Sequence, residues 1–428
     1  MGPGSLRACI FNLCILSLGT GCLALPQKVS YLSLAFTPVA VLIAGGANLW
    51  TLLLLSHISH KYKKTNYSEL VQLLCGKGMS VFLDIVIVID IFGVIILYQV
   101  ILYKLIGGVV LAIGQYEYKN IDDFVDNSFW KEYVFKFPIN YGVAGVILLP
   151  ICLLKDISKM RFASTFGLIS LFFLICIVVV ECPWFIINYF NNIYDKSKPE
   201  THLNVYDITV GFNSEMSFFK SIATLFYAYC CHIGAFPVIS SLANPTKKRV
   251  DKVFFRAILL DAVCYTIIGI SGYLTQPLKT PDLIIERTSI FESDWVMTVG
   301  RISFVLTLFT KIPANYNAMR LSILSLLKID TKNYSNVSNA IITVSILGVS
   351  TFVAVMYQSI TDYISLLGSF CSVIISFMIP GIIYVKGNEY QRYHIKNIIT
   401  IIFVGVLSGI GFLSGAFTIM SIINKHKS

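Results

Sequence analysis

Three ionisable side chains, Asp90, His232 and Lys311, stand inside long apolar runs. A charge there is expensive and marks a role, because a lysine at the centre of a membrane helix costs ~3 kcal/mol or more to insert. Lys311 could act as a tethered cation or as a proton carrier; the plainer alternative is a lysine that snorkels to an interface. It lies nine residues before Arg320. At about 1.5 Å per residue that is roughly 13 Å, which is deep for snorkelling. Asp90 sits about nine residues into its own run, at nearly the same depth. His232 is either a hydrogen-bonded packing residue or a second proton carrier, since imidazole titrates near neutrality. Asp84 and Asp261 lie nearer the basic ends of their runs and read as solvated or paired with loop cations. Hydrolytic or metal chemistry would need clustered ligands, and the six histidines are scattered with no metal-ligand spacing. The chain therefore does not read as an enzyme, and no metal or other cofactor is implied.

The elements that hold these residues are membrane helices. Of 428 residues, 56% are hydrophobic and 13% charged, with a mean hydropathy of +0.75. A soluble domain carries about 25% charged residues. A bilayer crossing takes roughly 20 apolar residues, and lipid leaves no room for unpaired backbone, so the runs must be helical. Eleven spans are expected at about 6–27, 31–56, 81–113, 139–154, 163–187, 217–241, 253–275, 296–319, 338–357, 361–385 and 397–423. They form a single membrane domain over 1–428, and Thr65 to Lys77 reads as a short interfacial helix. Most of the 11 cysteines fall inside spans, where they behave as small apolar residues, and no disulfide framework is implied.

The formal charge of +10 is a topology signal and not a sign of nucleic acid. Basic residues collect in alternate connections: Lys61, Lys63 and Lys64; Lys155, Lys159 and Arg161; Lys247, Lys248 and Arg249; Lys386, Arg392 and Lys396. The intervening loops carry Glu117, Asp122 and Asp123, then Asp195 and Glu200, then Asp282, Glu286 and Asp294. Basic loops stay cytoplasmic, which places the N-terminus inside and, with an odd number of spans, the C-terminus outside or in a lumen. The sequons at Asn66, Asn333 and Asn336 then fall on the cytoplasmic side, where they would not be glycosylated.

Two spans carry interruptions. Gly19-Thr20-Gly21 precedes Pro26 in the first, and Cys230-Cys231-His232-Ile233-Gly234 precedes Pro237 in the sixth. They lie five spans apart, so a second copy of the first half would enter the membrane from the opposite side, as an inverted repeat requires. Paired broken helices point to a transport site at the bilayer midplane. Half-helix N-termini there can receive a carboxylate, and unwound carbonyls an ammonium group or a cation. Glycines that merely let helices pack closely are the alternative.

Four stretches resemble the amino acid/auxin permease family, nearest its neutral amino-acid transporter and vacuolar amino-acid transporter branches. They are Phe11-Asn12-Leu13 through Pro26; Leu154-Lys155-Asp156 to Leu168; Phe226-Tyr227-Ala228-Tyr229-Cys230-Cys231-His232 with Asn244-Pro245-Thr246; and Ser365-Leu366-Leu367-Gly368-Ser369 with Pro380-Gly381. They stand in the family's order across nearly the whole chain. The resemblance implies an all-α membrane protein of about 11 helices: a five-plus-five inverted repeat (helices one to five at about 6–187, six to ten at about 217–385) with broken helices one and six, and an eleventh helix at about 397–423. It implies an amino-acid substrate, alternating access by rocking, and a monomer in the bilayer. On that pattern Ser17, Gly19, Thr20 and Gly21 would meet the substrate's carboxylate and amine, with Tyr229, Cys230 and His232 on the other side. Helices three and eight would be neighbours, so Asp90 and Lys311 could form an ion pair.

The departures bear on coupling. Sodium-coupled members bring an Asn from the first span and a hydroxyl from the eighth to the ion; this chain departs from that pattern, with Ile15, Phe309 and Lys311 at those places. The expectation is a sodium-independent transporter: proton-coupled, an exchanger or a uniporter, with Lys311, Asp90 or His232 standing in for the ion site. It would sit in the plasma membrane or in an endolysosomal or vacuolar membrane. A transporter-like sensor signalling through a cytoplasmic tail is the alternative. Thr20 and Cys230 suit neutral side chains, whereas Asp90 could favour cationic ones.

Overall fold

Several helices begin where a short polar side chain can accept a backbone N–H that the first turn leaves orphaned. Ser5 accepts from the amide of Ala8, Asn66 from that of Glu69 and Ser335 from that of Ser338. The computed structural model describes residues 4–113, 140–154, 161–193, 215–277, 280–287, 295–327, 329, 335–388 and 394–427. In chain order these form α1 (Leu6–Ser17), α2 (Thr20–Leu23), α3 (Leu25–Leu32), α4 (Phe36–Tyr62), α5 (Tyr67–Cys75), α6 (Lys77–Ile113), α7 (Leu149–Cys152), α8 (Arg161–Ile193), α9 (Glu215–Ala228), α10 (His232–Ser241), α11 (Lys247–Thr275), α12 (Trp295–Leu326), α13 (Asn336–Met356), α14 (Ile360–Leu366), α15 (Ile379–Gly387) and α16 (Ile395–Lys427). The described residues hold no strand, only an isolated bridge of Gly4 to Leu242.

Among the described residues nine helical stretches are long and apolar enough to cross a membrane, and Leu6–Ser17 and Asn140–Cys152 are shorter apolar helices. Each of the eleven expected spans therefore has a helical counterpart. Large apolar side chains such as Val146, Trp295, Val180 and Val337 stand more than half exposed, which suits contact with lipid and not with water. The short helix expected near Thr65–Lys77 is α5. The loops expected at about 114–137 and 188–216 lie almost entirely outside the described residues.

The chain divides into two compact units. The first comprises Met1–Ile87, Leu174–Asp294 and Ile364–Ser428. In it α11 packs on α4, α1 and α3, while α9 packs on α16. The start of the chain is clipped to the end of α10: the Gly4 amide donates to the Ser241 carbonyl at 2.6 Å, and the Ala243 amide to the Gly4 carbonyl at 3.0 Å. Asp84, expected to be solvated or paired with a loop cation, is partly exposed and accepts from the Ser68 hydroxyl of α5 at 2.5 Å.

Between α14 and α15 the chain winds as π-helix over Leu367–Ser372 and Ile374–Met378. The Ile379 amide bonds the carbonyl five residues back, that of Ile374. In this register the Ile375 carbonyl would need the amide of residue 380, which is proline and has none. The Tyr67 hydroxyl supplies the missing donor at 2.8 Å. Burial pushes that phenol well above its ordinary pKa, so it stays a donor.

The second unit comprises Val88–Phe173 and Trp295–Tyr363. Its organising residue is Arg320, 1% exposed. The guanidinium donates to the carbonyls of Cys152 and Leu154 and to Asn339 Oδ1 and Asn317 Oδ1, at 2.6–3.1 Å. Asn339 Nδ2 donates to the Leu153 carbonyl at 2.8 Å. Two side chains thus close the carbonyl end of α7, which lipid could not do. Arg320 is therefore an interior cap; read from sequence it marked the end of a span.

In the first unit Gly368 lies against α9 so closely that an added Cβ would overlap the backbone carbonyl of Ala223. Backbone cannot yield as a side chain tip can. Gly368→Ala is expected to destabilise the folded protein by about 1–3 kcal/mol. A thermal melt of the detergent-purified variant, followed by loss of the monodisperse peak, should show a lower midpoint than the native chain.

Candidate functional site

The first break falls after Ser17. Leu18 (φ −71°, ψ 88°) and Gly19 (φ −130°, ψ −148°) leave the helical region before α2 restarts at Thr20. Pro26 opens α3 without an amide to leave unpaired. The second break falls between Ala228 and His232, where Cys231 (φ −127°, ψ 9°) precedes α10. Both interruptions read from sequence are present, and both lie in the first unit.

One hydroxyl joins them. Tyr265 Oη of α11 lies 2.9 Å from the Ser17 carbonyl and 2.6 Å from the Ala228 carbonyl, the last carbonyls of α1 and α9. Four residues earlier on the same face of α11, Asp261 accepts from Ser17 Oγ at 2.6 Å. Asp261 is fully buried, and its Oδ1 has no hydrogen-bond partner. The expectation that Asp261 is solvated or paired with loop basics is therefore wrong. Tyr229 stacks edge-on against Tyr265 with ring centroids 4.9 Å apart, and its own hydroxyl is buried without a partner beside Gly45.

Around these groups stand the other residues predicted for the site. Thr20 is buried, with Oγ1 3.5 Å from Tyr227 Oη, and Gly21 lets α2 approach Ala228 of α9. Cys230 is partly exposed and receives the Ser376 hydroxyl at 3.3 Å. His232 is fully buried, with Nε2 2.9 Å from Thr51 Oγ1 of α4. Thr51 Oγ1 also donates to the Asn48 carbonyl at 3.0 Å. A hydroxyl has one proton to give, so the imidazole donates through Nε2–H and its Nδ1 is left as a bare acceptor. Ser17, Gly19, Thr20, Gly21, Tyr229, Cys230 and His232 thus share one unit and flank two adjacent breaks.

Asp90 and Lys311 belong to the second unit. Asp90 Oδ1 is buried without a hydrogen bond. The Lys311 stem runs past Gly167, its Cε 3.8 Å from where a Cβ there would stand. Among the described residues no ion pair joins Asp90 to Lys311.

Sequence reasoning passed over Tyr265 and Thr51, which have no charge to draw the eye inside an apolar run. It also passed over Lys28, which fell between two expected spans. Lys28 is 1% exposed, donates to Gln27 Oε1 at 2.8 Å, and lies over the Tyr31 ring. Gln27 in turn donates to Asp282 at 2.5 Å.

A helical membrane protein whose apolar spans break beside buried hydroxyls, a carboxyl and an imidazole has the make-up of a solute transporter. The chain belongs to the family described as transmembrane amino acid transporter protein, matched over residues 2–420. It is 25% identical over 390 residues to vacuolar amino acid transporter 5 of Schizosaccharomyces pombe, covering 90% of this chain and 85% of that one. It is 24% identical over 325 residues to sodium-coupled neutral amino acid transporter 7 of Xenopus laevis, covering 73% of this chain and 64% of that one. It is 22% identical over 470 residues to a putative amino acid transporter of Plasmodium berghei, covering 98% and 71%. These relatives are transporters and not enzymes, and the amino acid/auxin permease resemblance is thereby confirmed.

The two buried tyrosines give a paired test. Tyr265→Phe strips the donor from two break carbonyls and is expected to cost about 1–3 kcal/mol, read as a lower melting midpoint. Tyr229→Phe removes a hydroxyl that bonds nothing and should leave the midpoint close to that of the native protein. Equal losses in the two variants would contradict this geometry.

Proposed function

We propose that this protein carries amino acids across a membrane by alternating access, receiving the substrate's carboxylate and ammonium groups at the paired breaks. The observation that carries the reading is the meeting of two interrupted helices at Tyr265, in a chain of the amino acid transporter family. The first turn of α10 offers backbone N–H groups of the kind that bind a carboxylate. The unwound stretch at Leu18–Gly19 offers carbonyls of the kind that bind an ammonium group. Ser17, Gly19, Thr20 and Gly21 line one side of this site, and Tyr229, Cys230 and His232 the other. A zwitterion satisfies both sets of backbone groups, whereas neither set alone would need an amino acid.

Transport is sodium-independent in this reading. Ile15 and Phe309 offer no oxygen to a cation, and Lys311 brings a positive charge where the ion would sit. Protons, exchange or the substrate's own gradient remain as driving forces. Lys311 is the substitute for the ion, Asp90 and His232 further candidates for coupling. The protein acts as a monomer, in a plasma or endolysosomal or vacuolar membrane. The N-terminus is cytoplasmic and the C-terminus on the opposite side, as the alternation of basic and acidic connections requires.

Uptake of labelled amino acids into proteoliposomes tests this directly. With sodium replaced by choline, uptake of at least one neutral amino acid is expected to persist undiminished. Lys311→Met is expected to lower it by roughly tenfold, a loss of about 1.4 kcal/mol in the rate-limiting barrier. Strict sodium dependence would overturn the sodium-independent reading, and no uptake of any amino acid would overturn the transport reading itself.

A further inference from the structure

We propose that Asp261, held by Ser17 at the end of α1, is a proton-binding site whose occupancy is coupled to the break in that helix. The inference deepens the transport reading and rests on it. Asp261 is 0% exposed, on a helix long and apolar enough to cross the membrane. One carboxyl oxygen takes the Ser17 hydroxyl at 2.6 Å, and the other takes no hydrogen bond.

The titratable groups that face it are all neutral acids of weaker strength. They are Cys14 on α1, Tyr229 and Cys231 at the second break, and Cys264 and Tyr265 on its own helix. Among the described residues no lysine, arginine or histidine compensates the carboxyl. An ionised carboxylate so placed has one hydroxyl donor and the weak thiol of Cys14 where it needs several strong donors, and a buried group in that position takes up a proton instead. Arg287, a buried charge of the same unit, is treated differently: it is paired with Glu181 and lies 4.4 Å from the Phe185 ring centroid.

Geometry supplies the coupling. Ser17 is the last residue of α1; its side chain holds Asp261, and its carbonyl is held by Tyr265 one turn further along α11. The bond that senses the state of the carboxyl thus sits at the break where the substrate is received. Closed, the site is dry and the carboxyl is the neutral acid. A movement of α1 away from α11 admits water; the O–H bond of the acid then breaks, the proton passes to water, and the carboxylate is left hydrated. Return of α1 requires that a proton be taken up from water on the side then open. Proton binding and closure of the break are in this way one event.

The whole protein in proteoliposomes tests it with two readouts. Accumulation driven by an inward proton gradient needs a proton site; counterflow, the exchange of labelled for unlabelled amino acid at equal pH, needs only substrate binding and alternation. For Asp261→Asn the expected result is loss of accumulation, by roughly tenfold or more, with counterflow that is measurable and no longer varies with pH. Should Asp261→Asn lack both activities, Asp261→Glu decides: it is expected to regain accumulation with a displaced pH profile, and an unchanged profile would overturn the proposal. Gradient-driven accumulation by Asp261→Asn at the native level would also overturn it. So would a native protein that performs counterflow but never accumulates substrate with the proton gradient, which leaves the transport reading intact. A native protein with neither activity would sink the transport reading instead.

Discussion

Lipid offers no hydrogen bonds, so every carbonyl released by a broken helix must find its donor within the protein. In the first unit that constraint converges on one oxygen. The hydroxyl of Tyr265 lies within hydrogen-bond distance of the last carbonyl of α1 and the last carbonyl of α9. It has a single proton, so it cannot serve both fully at once. The two breaks are therefore not independent irregularities. A displacement at either changes what the shared hydroxyl can give the other, and this links them before any substrate arrives.

The same constraint explains features that look unrelated along the chain. Tyr67 reaches in from the short helix α5 because Pro380 cannot supply the amide that a π-helical register demands. Arg320 and Asn339 spend their hydrogen bonds on the carbonyls that close α7. In each case a polar side chain is buried in an apolar element for the sake of a neighbour's backbone. Arg320 is positively charged and interior, yet its contacts are those of a cap, which separates it from residues whose charge would serve transport.

The elements were legible because their causes are local. Length and apolarity mark the spans, and glycine and proline mark the breaks. What misled was depth. Asp261 sits eight residues into a span read as beginning at Val253, close to the basic connection. In the structure α11 begins at Lys247, so Asp261 lies 14 residues along it, roughly 21 Å at the usual rise. The basic residues are part of the helix, and they lift its start away from the carboxyl. Nor could the residues alone show that Ser17 and Asp261, 244 apart in the chain, would meet. Side-chain partners of that kind depend on which faces of two helices are opposed, and apolar runs with little periodicity do not declare a face.

Buried polar groups in this protein differ in how densely each is bonded. Arg320 makes four hydrogen bonds, and Asp362 accepts from both Tyr357 and Ser359 at 2.6 Å. Networks bonded that densely, even with Arg320 Nε left over, hold one arrangement and resist change. Asp261 and His232 each have one atom bonded to a neighbouring helix and one left bare. A stable fold gains nothing from an orphaned acceptor in a dry interior. A protein that must pass between two states needs such groups, because a site satisfied in full in one state has nothing to gain by moving to the other. Both half-bonded groups flank the breaks. These two half-bonded groups therefore stand where the proposed motion would occur.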